Sequence, residues 1–276
     1  AKAAAMLLAN GGSYAEYQWE GREITERSHP LVAVPTTSGT GSEVSRVAVI
    51  SDPGQPFKKG VLSPHLFARA AVLDPGLTLS LPAHLTAATG ADVVGHAFEA
   101  FAGRRANPIT DALALEALRR AWKHLPRATQ LGDDLPARQE MMLASAMAGL
   151  AFDQSGLGII HSLAGPVAGR YELHHGLCIG LLLPLGLAYN LPVLGDKRPA
   201  LLEAMGMPAS LTDQQVVERV KAWLADLGLP LSLAQLGIED PDLPAMGEEA
   251  SRMVLLPNNP RPATAADCQR LLEGIL

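Results

Sequence analysis

Leu77 to Ala100, reading LTLSLPAHLTAATGADVVGHAFEA, divides the chain into two kinds of sequence. Before it, short apolar runs at Leu31 to Val34, Val47 to Ile50 and Ala70 to Leu73 are separated by Gly, Pro and Thr, the signature of brief strands. An Ala-rich helix from Ala1 precedes them. From Pro82 onward the apolar residues fall at helical spacing, as at Ala87, Val94, Phe98 and Phe101, and later at Leu113, Leu115, Leu118 and Trp122. Helix stop signals recur at Gly103, Gly132, Gly206, Gly228 and Asn258-Asn259-Pro260. The expectation is α/β followed by all-α, with a small α/β region over 1–81 and a helical region over 82–276. Three or four short strands are too few to build a parallel sheet buried on both faces, so the chain reads as beginning inside a domain.

The same stretch carries the first chemical signal. Asp92 and His96 are four residues apart on a strongly helical segment, so they share one face and can bind one ion together. Alone, such a pair is an ordinary helix-surface or core hydrogen bond. Two later segments change its weight: Ile159-Ile160-His161 and Leu173-His174-His175-Gly176 place further imidazoles among Gly, Ala and Leu. Burying three imidazoles and a carboxylate there is costly unless something satisfies them, and a divalent cation does. One carboxylate with three imidazoles suits Fe(II), Zn(II) or another divalent metal, and intrinsic affinity does not identify which. His29, His65, His84 and His124 read as loop or helix-surface residues.

Composition narrows the function. The chain has 276 residues, 48% apolar and 18% charged, with a net charge of −6, enough to bury a large core. No basic stripe is visible, so no nucleic-acid or anionic-lipid partner is expected. The apolar run Leu177 to Leu187 is interrupted by Gly and Pro and reads as too short to span a bilayer, and no leader peptide is visible, which suggests a cytoplasmic protein. Cys178 and Cys268 lie in no metal-type spacing and read as reduced, buried small hydrophobes. Val34 to Glu43, VPTTSGTGSE, follows a strand with hydroxyls and amides suited to phosphates and ribose, although a bare Thr/Ser/Gly loop is also an ordinary turn.

Taken together, PTTSGTGSEVS at Pro35 to Ser45, the Leu77 to Ala100 stretch, GLGIIHSLAGPVAGRYELHHG at Gly156 to Gly176 and NPRPAT at Asn259 to Thr264 resemble the iron-containing (group III) alcohol dehydrogenase family, in the expected order and spacing. The resemblance implies a dehydroquinate-synthase-like fold: a Rossmann-like α/β domain, here partial at its N-terminal side, followed by an all-helical metal-binding domain. It implies metal ligands at Asp92, His96, His161 and His175, and cofactor contacts from Thr36, Thr37, Ser38, Gly39 and Thr40. Lys58 falls where a cofactor-contacting lysine is expected, beside Lys59, and Phe152 falls on an aromatic of the substrate pocket. The implied activity is reversible hydride transfer between NAD or NADP and a small alcohol or aldehyde, in a homodimer or larger homo-oligomer.

The chain also departs from the family pattern. It opens at Ala1-Lys2, where relatives have just completed a glycine-rich pyrophosphate turn, and Gly11-Gly12-Ser13 follows the first helix and reads as a C-cap. A relay histidine common in the family is here Gly165, which predicts an imidazole-sized gap that water can fill. His174 then becomes the candidate catalytic acid or base. Val47 replaces a polar residue near the nicotinamide. Two rival readings are a metal-dependent lyase of the related fold, which needs phosphate-binding cations near the metal, and a catalytically impaired metal-binding domain.

Overall fold

The computed structural model describes residues 1–52, 54 and 59–276. Two short helices, α1 (Lys2–Asn10) and α2 (Tyr14–Gln18), lead into four strands among the described residues: β1 (Val32–Ala33), β2 (Val47–Val49), β3 (Gly60–Leu62) and β4 (Ala70–Ala71). β1 and β4 pair in parallel, Val32 with Ala70 and Ala33 with Ala71, and β2 and β3 pair antiparallel, Ala48 opposite Val61. These are two separate two-stranded ladders among the described residues. β3 has no counterpart in the sequence reading, because three residues headed by a glycine carry too little pattern to register. The Gly11 turn ends α1 with φ 68°, and Ser13 opens α2 with a capping box to Glu16.

Nine helices follow: α3 (Ala83–Ala102), α4 (Pro108–Gln130), α5 (Leu135–Ser155), α6 (Ile159–Arg170), α7 (His175–Asn190), α8 (Lys197–Ala204), α9 (Asp213–Asp226), α10 (Leu243–Ser251) and α11 (Ala265–Glu273). Their boundaries follow local chemistry. Asn107 with Thr110, Thr212 with Gln215 and Thr264 with Asp267 form reciprocal caps that satisfy first-turn amides, and Gly103 closes α3.

α3 is the axis of the molecule. It packs against α4, α5 and α7, and every residue from Thr86 to Ala102 is buried, so beyond its exposed first turn it has no solvent face. The approach of α7 is close because Gly176 lacks a side chain: a Cβ there would lie 2.3 Å from the Ala88 carbonyl oxygen. The strand region has its own small core of Met6, Tyr17, Ala48, Val61 and Leu66, separate from the large helical one.

One expectation changes in three dimensions. The stretch His175–Val193 is helical for 19 residues and apolar enough by length and composition to cross a membrane. Pro184 and the glycines around it do not interrupt α7. In this structure most of that stretch is buried against the other helices, which is how a core helix of such composition is accommodated. Both cysteines are buried.

Candidate metal centre

Three helices converge on one point. α3 presents Asp92 and His96 one turn apart, α6 brings in His161 two residues after its start, and α7 opens with His175. The Nε2 atoms of His96, His161 and His175 lie 3.5, 3.4 and 3.7 Å from Asp92 Oδ1. The ligand atoms offered by Asp92, His96 and His161 all lie within 4.8 Å of one another. The His96 and His161 rings stack at 4.6 Å between centroids, and His175 stands 5.5 Å from His161. Asp92, His96 and His161 are almost fully buried, whereas the His175 side chain is 40% exposed and marks the open side.

These groups do not satisfy one another. Asp92 Oδ1, His96 Nδ1 and His161 Nε2 are buried and have no hydrogen-bond partner, which is expensive for a carboxylate and two imidazoles. Separations of 3.4 to 3.7 Å are long for a hydrogen bond. They match the edge between two donors of a tetrahedral ion with bonds near 2.1 Å, which is roughly 3.4 Å. The orphaned Asp92 Oδ1 and His161 Nε2, with the Nε2 atoms of His96 and His175 at this spacing, therefore fit a divalent cation, while the orphaned His96 Nδ1 is that ring's other nitrogen.

The electrostatics agree. Burial would raise the Asp92 pKa, but the imidazoles of His96, His175 and His161 hold it well below the usual carboxylate range. Burial lowers His96 to about 3, with Asp92 opposing, so it is neutral and free to donate a lone pair. Burial would lower His161 too, but Glu99 and Asp92 raise it to about 9, so an ion binding at its Nε2 would have to displace a proton.

Glu99 is the residue that sequence reasoning missed. Its Oε2 lies 2.6 Å from His161 Nδ1, and its Oε1 accepts the Ile160 backbone N–H at 2.6 Å. The signal was present in Ala97-Phe98-Glu99-Ala100-Phe101, a lone carboxylate in a wholly apolar run two turns after Asp92. NPRPAT also gains a role. Asn259 Oδ1 accepts the Ile159 N–H at 3.2 Å and the Asn190 amide at 2.9 Å, and Asn258 Nδ2 donates to the Ser155 and Leu157 carbonyls. Both asparagines thus fix the start of α6, the segment that aims His161.

The Thr/Ser/Gly loop lies against the same helix. Gly39 is pressed on α3 one turn before Asp92, since a Cβ on it would meet the Thr89 Cβ at 2.8 Å and the Thr89 carbonyl at 3.1 Å. Thr36 and Thr40 are exposed, Thr37 is half-buried, and the buried Ser38 hydroxyl has no hydrogen-bond partner. The far end of the loop is tied down twice. Buried Lys2 donates to the Ser45 carbonyl and, at 3.1 Å, to that of half-buried Val47, while the Arg46 N–H donates to Asp153 on α5 at 2.8 Å.

The remaining candidates are distributed unevenly. The Phe152 ring packs 4.4 Å from the His96 ring, beside the metal cluster. His174 is exposed and caps α7. Lys58 lies outside the described residues. Gly165 corrects an expectation: the space above it is not an open gap, because the Met253 methyl lies 3.1 Å and its sulfur 3.4 Å from where a Cβ would stand. A flexible thioether from the segment after α10 has moved in, as methionine does in irregular spaces. Arg170, the one cation between Gly156 and Gly176, is taken up by Glu249 at 2.6 and 3.0 Å.

Comparison with known proteins agrees with this geometry. Residues 1–75 match the model of the iron-containing alcohol dehydrogenases, and residues 86–276 match the C-terminal model of the Fe-containing alcohol dehydrogenase family. The chain is 34% identical to the NAD-dependent methanol dehydrogenase of Bacillus methanolicus, over 100% of this chain and 74% of that protein. It is 41% identical to the 4-hydroxybutyrate dehydrogenase of Cupriavidus necator, over 99% and 73%. Among solved structures, an alcohol dehydrogenase from Oenococcus oeni superposes with a TM-score of 0.92 at 32% identity, covering 100% of this chain and 73% of that one. The helix-borne carboxylate and histidines, the loop laid against them and these matches lead to one conclusion: the chain belongs to the iron-containing alcohol dehydrogenase family, a family of alcohol oxidoreductases.

Proposed function

We propose that the protein interconverts an alcohol and its aldehyde or ketone with a nicotinamide cofactor, using one divalent ion held by Asp92, His96, His161 and His175. The observation that carries this reading is the meeting of two orphaned buried atoms, Asp92 Oδ1 and His161 Nε2, 3.4 Å apart, with His96 Nε2 3.5 Å from the same oxygen. A bound divalent ion supplies Lewis acidity toward an alcohol or carbonyl oxygen, and the nicotinamide carries the hydride. The protein's own contribution is placement. Ser38, with its unpartnered hydroxyl, and the exposed Thr36 and Thr40 offer hydrogen bonds to the cofactor beside α3. Phe152 forms an apolar wall against His96 that excludes water from the reacting atoms. His174, exposed next to the open side, is the group we assign to proton exchange with solvent. The names of relatives, an NAD-dependent methanol dehydrogenase and a 4-hydroxybutyrate dehydrogenase, favour NAD and a small substrate. The pairing of Arg170 with Glu249 counts against a lyase that would need that cation for a phosphate.

The test is metal content and NAD(H)-linked turnover of a short aldehyde series in the wild type, Asp92→Asn and His161→Ala. The variants should lose the ion and most activity, because a missing ligand costs several kcal/mol of metal affinity. Full metal retention by either variant refutes the assignment.

A further inference from the structure

Resting on that metal reading, we infer that Glu99 is a positioning residue: it fixes which nitrogen of His161 carries the proton and thereby makes His161 a ligand. Glu99 is buried, and both of its oxygens are used, Oε1 by the Ile160 N–H at 2.6 Å and Oε2 by His161 Nδ1 at 2.6 Å. A carboxylate only accepts, so the Nδ1 facing it must carry a hydrogen. A neutral His161 therefore keeps its lone pair on Nε2, the atom that has no partner and stands 3.4 Å from Asp92 Oδ1. The Ile160 contact adds a second constraint. One side chain on α3 grips both the backbone and the ring at the start of α6, so the lone pair is aimed as well as exposed.

Glutamine cannot do this at the same size. Its amide has one acceptor, and two donors face it. If the amide oxygen stays with Ile160, the amide NH₂ meets Nδ1, drives the proton to Nε2 and blocks coordination. If the oxygen turns to Nδ1, two N–H donors face each other at Ile160. Glu99→Gln should therefore weaken zinc binding by about 10- to 100-fold, the usual effect of removing the carboxylate partner of a ligating histidine.

The experiment measures zinc affinity by chelator competition, and the visible spectrum of the cobalt-loaded protein, for wild type, Glu99→Gln, His161→Ala and the double variant. The inference expects Glu99→Gln to lower affinity and alter the cobalt spectrum, and to cost nothing further once His161 is alanine. Loss of binding in His161→Ala with wild-type affinity and spectrum in Glu99→Gln overturns the role of Glu99 alone. Unchanged zinc binding in every variant overturns the metal reading itself. A further measurement needs no variant. In wild-type cobalt protein the His161 Nδ1 proton should appear as a hyperfine-shifted resonance that exchanges slowly with water, and its absence overturns the inference.

Discussion

Gly176→Ala adds one methyl group where α7 crosses α3, and its effect can be worked out from distances. The new Cβ would stand 2.3 Å from the Ala88 carbonyl oxygen, 2.7 Å from the Ala88 carbonyl carbon and 3.2 Å from the Thr89 nitrogen, against 3.4 Å for ordinary contact. All three obstacles are backbone atoms of the buried part of α3, so they cannot rotate away. The first turn of α7 must retreat by about 1 Å, and overpacking of this kind costs on the order of 1–3 kcal/mol. We expect the upper end, about 3 kcal/mol, because both partners are main chain. The retreat also carries off His175, whose Nε2 stands 3.7 Å from Asp92 Oδ1 and whose proposed bond to an ion would tolerate only about 0.2 Å. Urea unfolding of the metal-free protein reads the first effect, and chelator competition for zinc reads the second. Gly180→Ala is the control. On the same helix its Cβ meets only side chains, Leu229 at 3.2 Å and Ala91 at 3.4 Å, and the gain in helix propensity of about 1 kcal/mol should leave stability nearly unchanged. A Gly176→Ala protein within about 0.5 kcal/mol of wild type, with unaltered zinc affinity, would refute the reasoning, since surface-like tolerance is incompatible with a backbone clash.

Three other perturbations have definite outcomes. Burial lowers the Lys2 pKa from 10.5 to about 8, so between those values the unfolded chain binds more protons and stability rises with pH. The penalty at neutral pH is on the order of 2 kcal/mol after solvent screening. Urea unfolding from pH 7 to 10.5 should show that rise in the wild type and a flatter profile in Lys2→Met; parallel profiles would remove Lys2 as the cause. Burial pushes the Cys268 thiol up to about 11, and Cys178 is fully buried, so neither should react with a thiol reagent at pH 8 until the protein unfolds. Gly165→His should destabilise by about 1–3 kcal/mol by displacing Met253, and Met253→Ala should relieve much of that loss. Strict additivity of the two changes would show that the side chains do not share the space.

How far the sequence anticipated this molecule depends on how local each feature is. The helix bearing Asp92 and His96 was legible because its periodicity and the four-residue interval lie within one element. Gly103 and Gly228 marked helix ends for the same reason, each being a local event of the chain. Glu99 was not legible as a partner of His161, because the two are 62 residues apart and meet only after α6 docks on α3. Nor was Met253, whose occupancy of the space over Gly165 depends on α10 packing against α6. The reading of Leu177 to Leu187 as a broken apolar run failed on a different point. Gly and Pro are breakers in an isolated helix, but within a packed core the surrounding contacts outweigh their local cost. Strand limits were the least legible, since ladders of two or three residues have almost no alternation to detect.

The placement of Asp92, His96 and Glu99 on the part of α3 that has no solvent face bears on how long the site persists as the protein fluctuates. Amides in elements that fray open readily, such as the two-residue strands, exchange their hydrogens through small local openings. α3 is enclosed by α4, α5 and α7, so its central amides are shielded from that route and should exchange only when the helical core as a whole opens. Asp92, His96 and Glu99 of the proposed metal centre therefore sit in the slowest-exchanging unit of the protein, and heating or denaturant should erase the Pro35 to Ser45 loop well before it disperses Asp92 and His96.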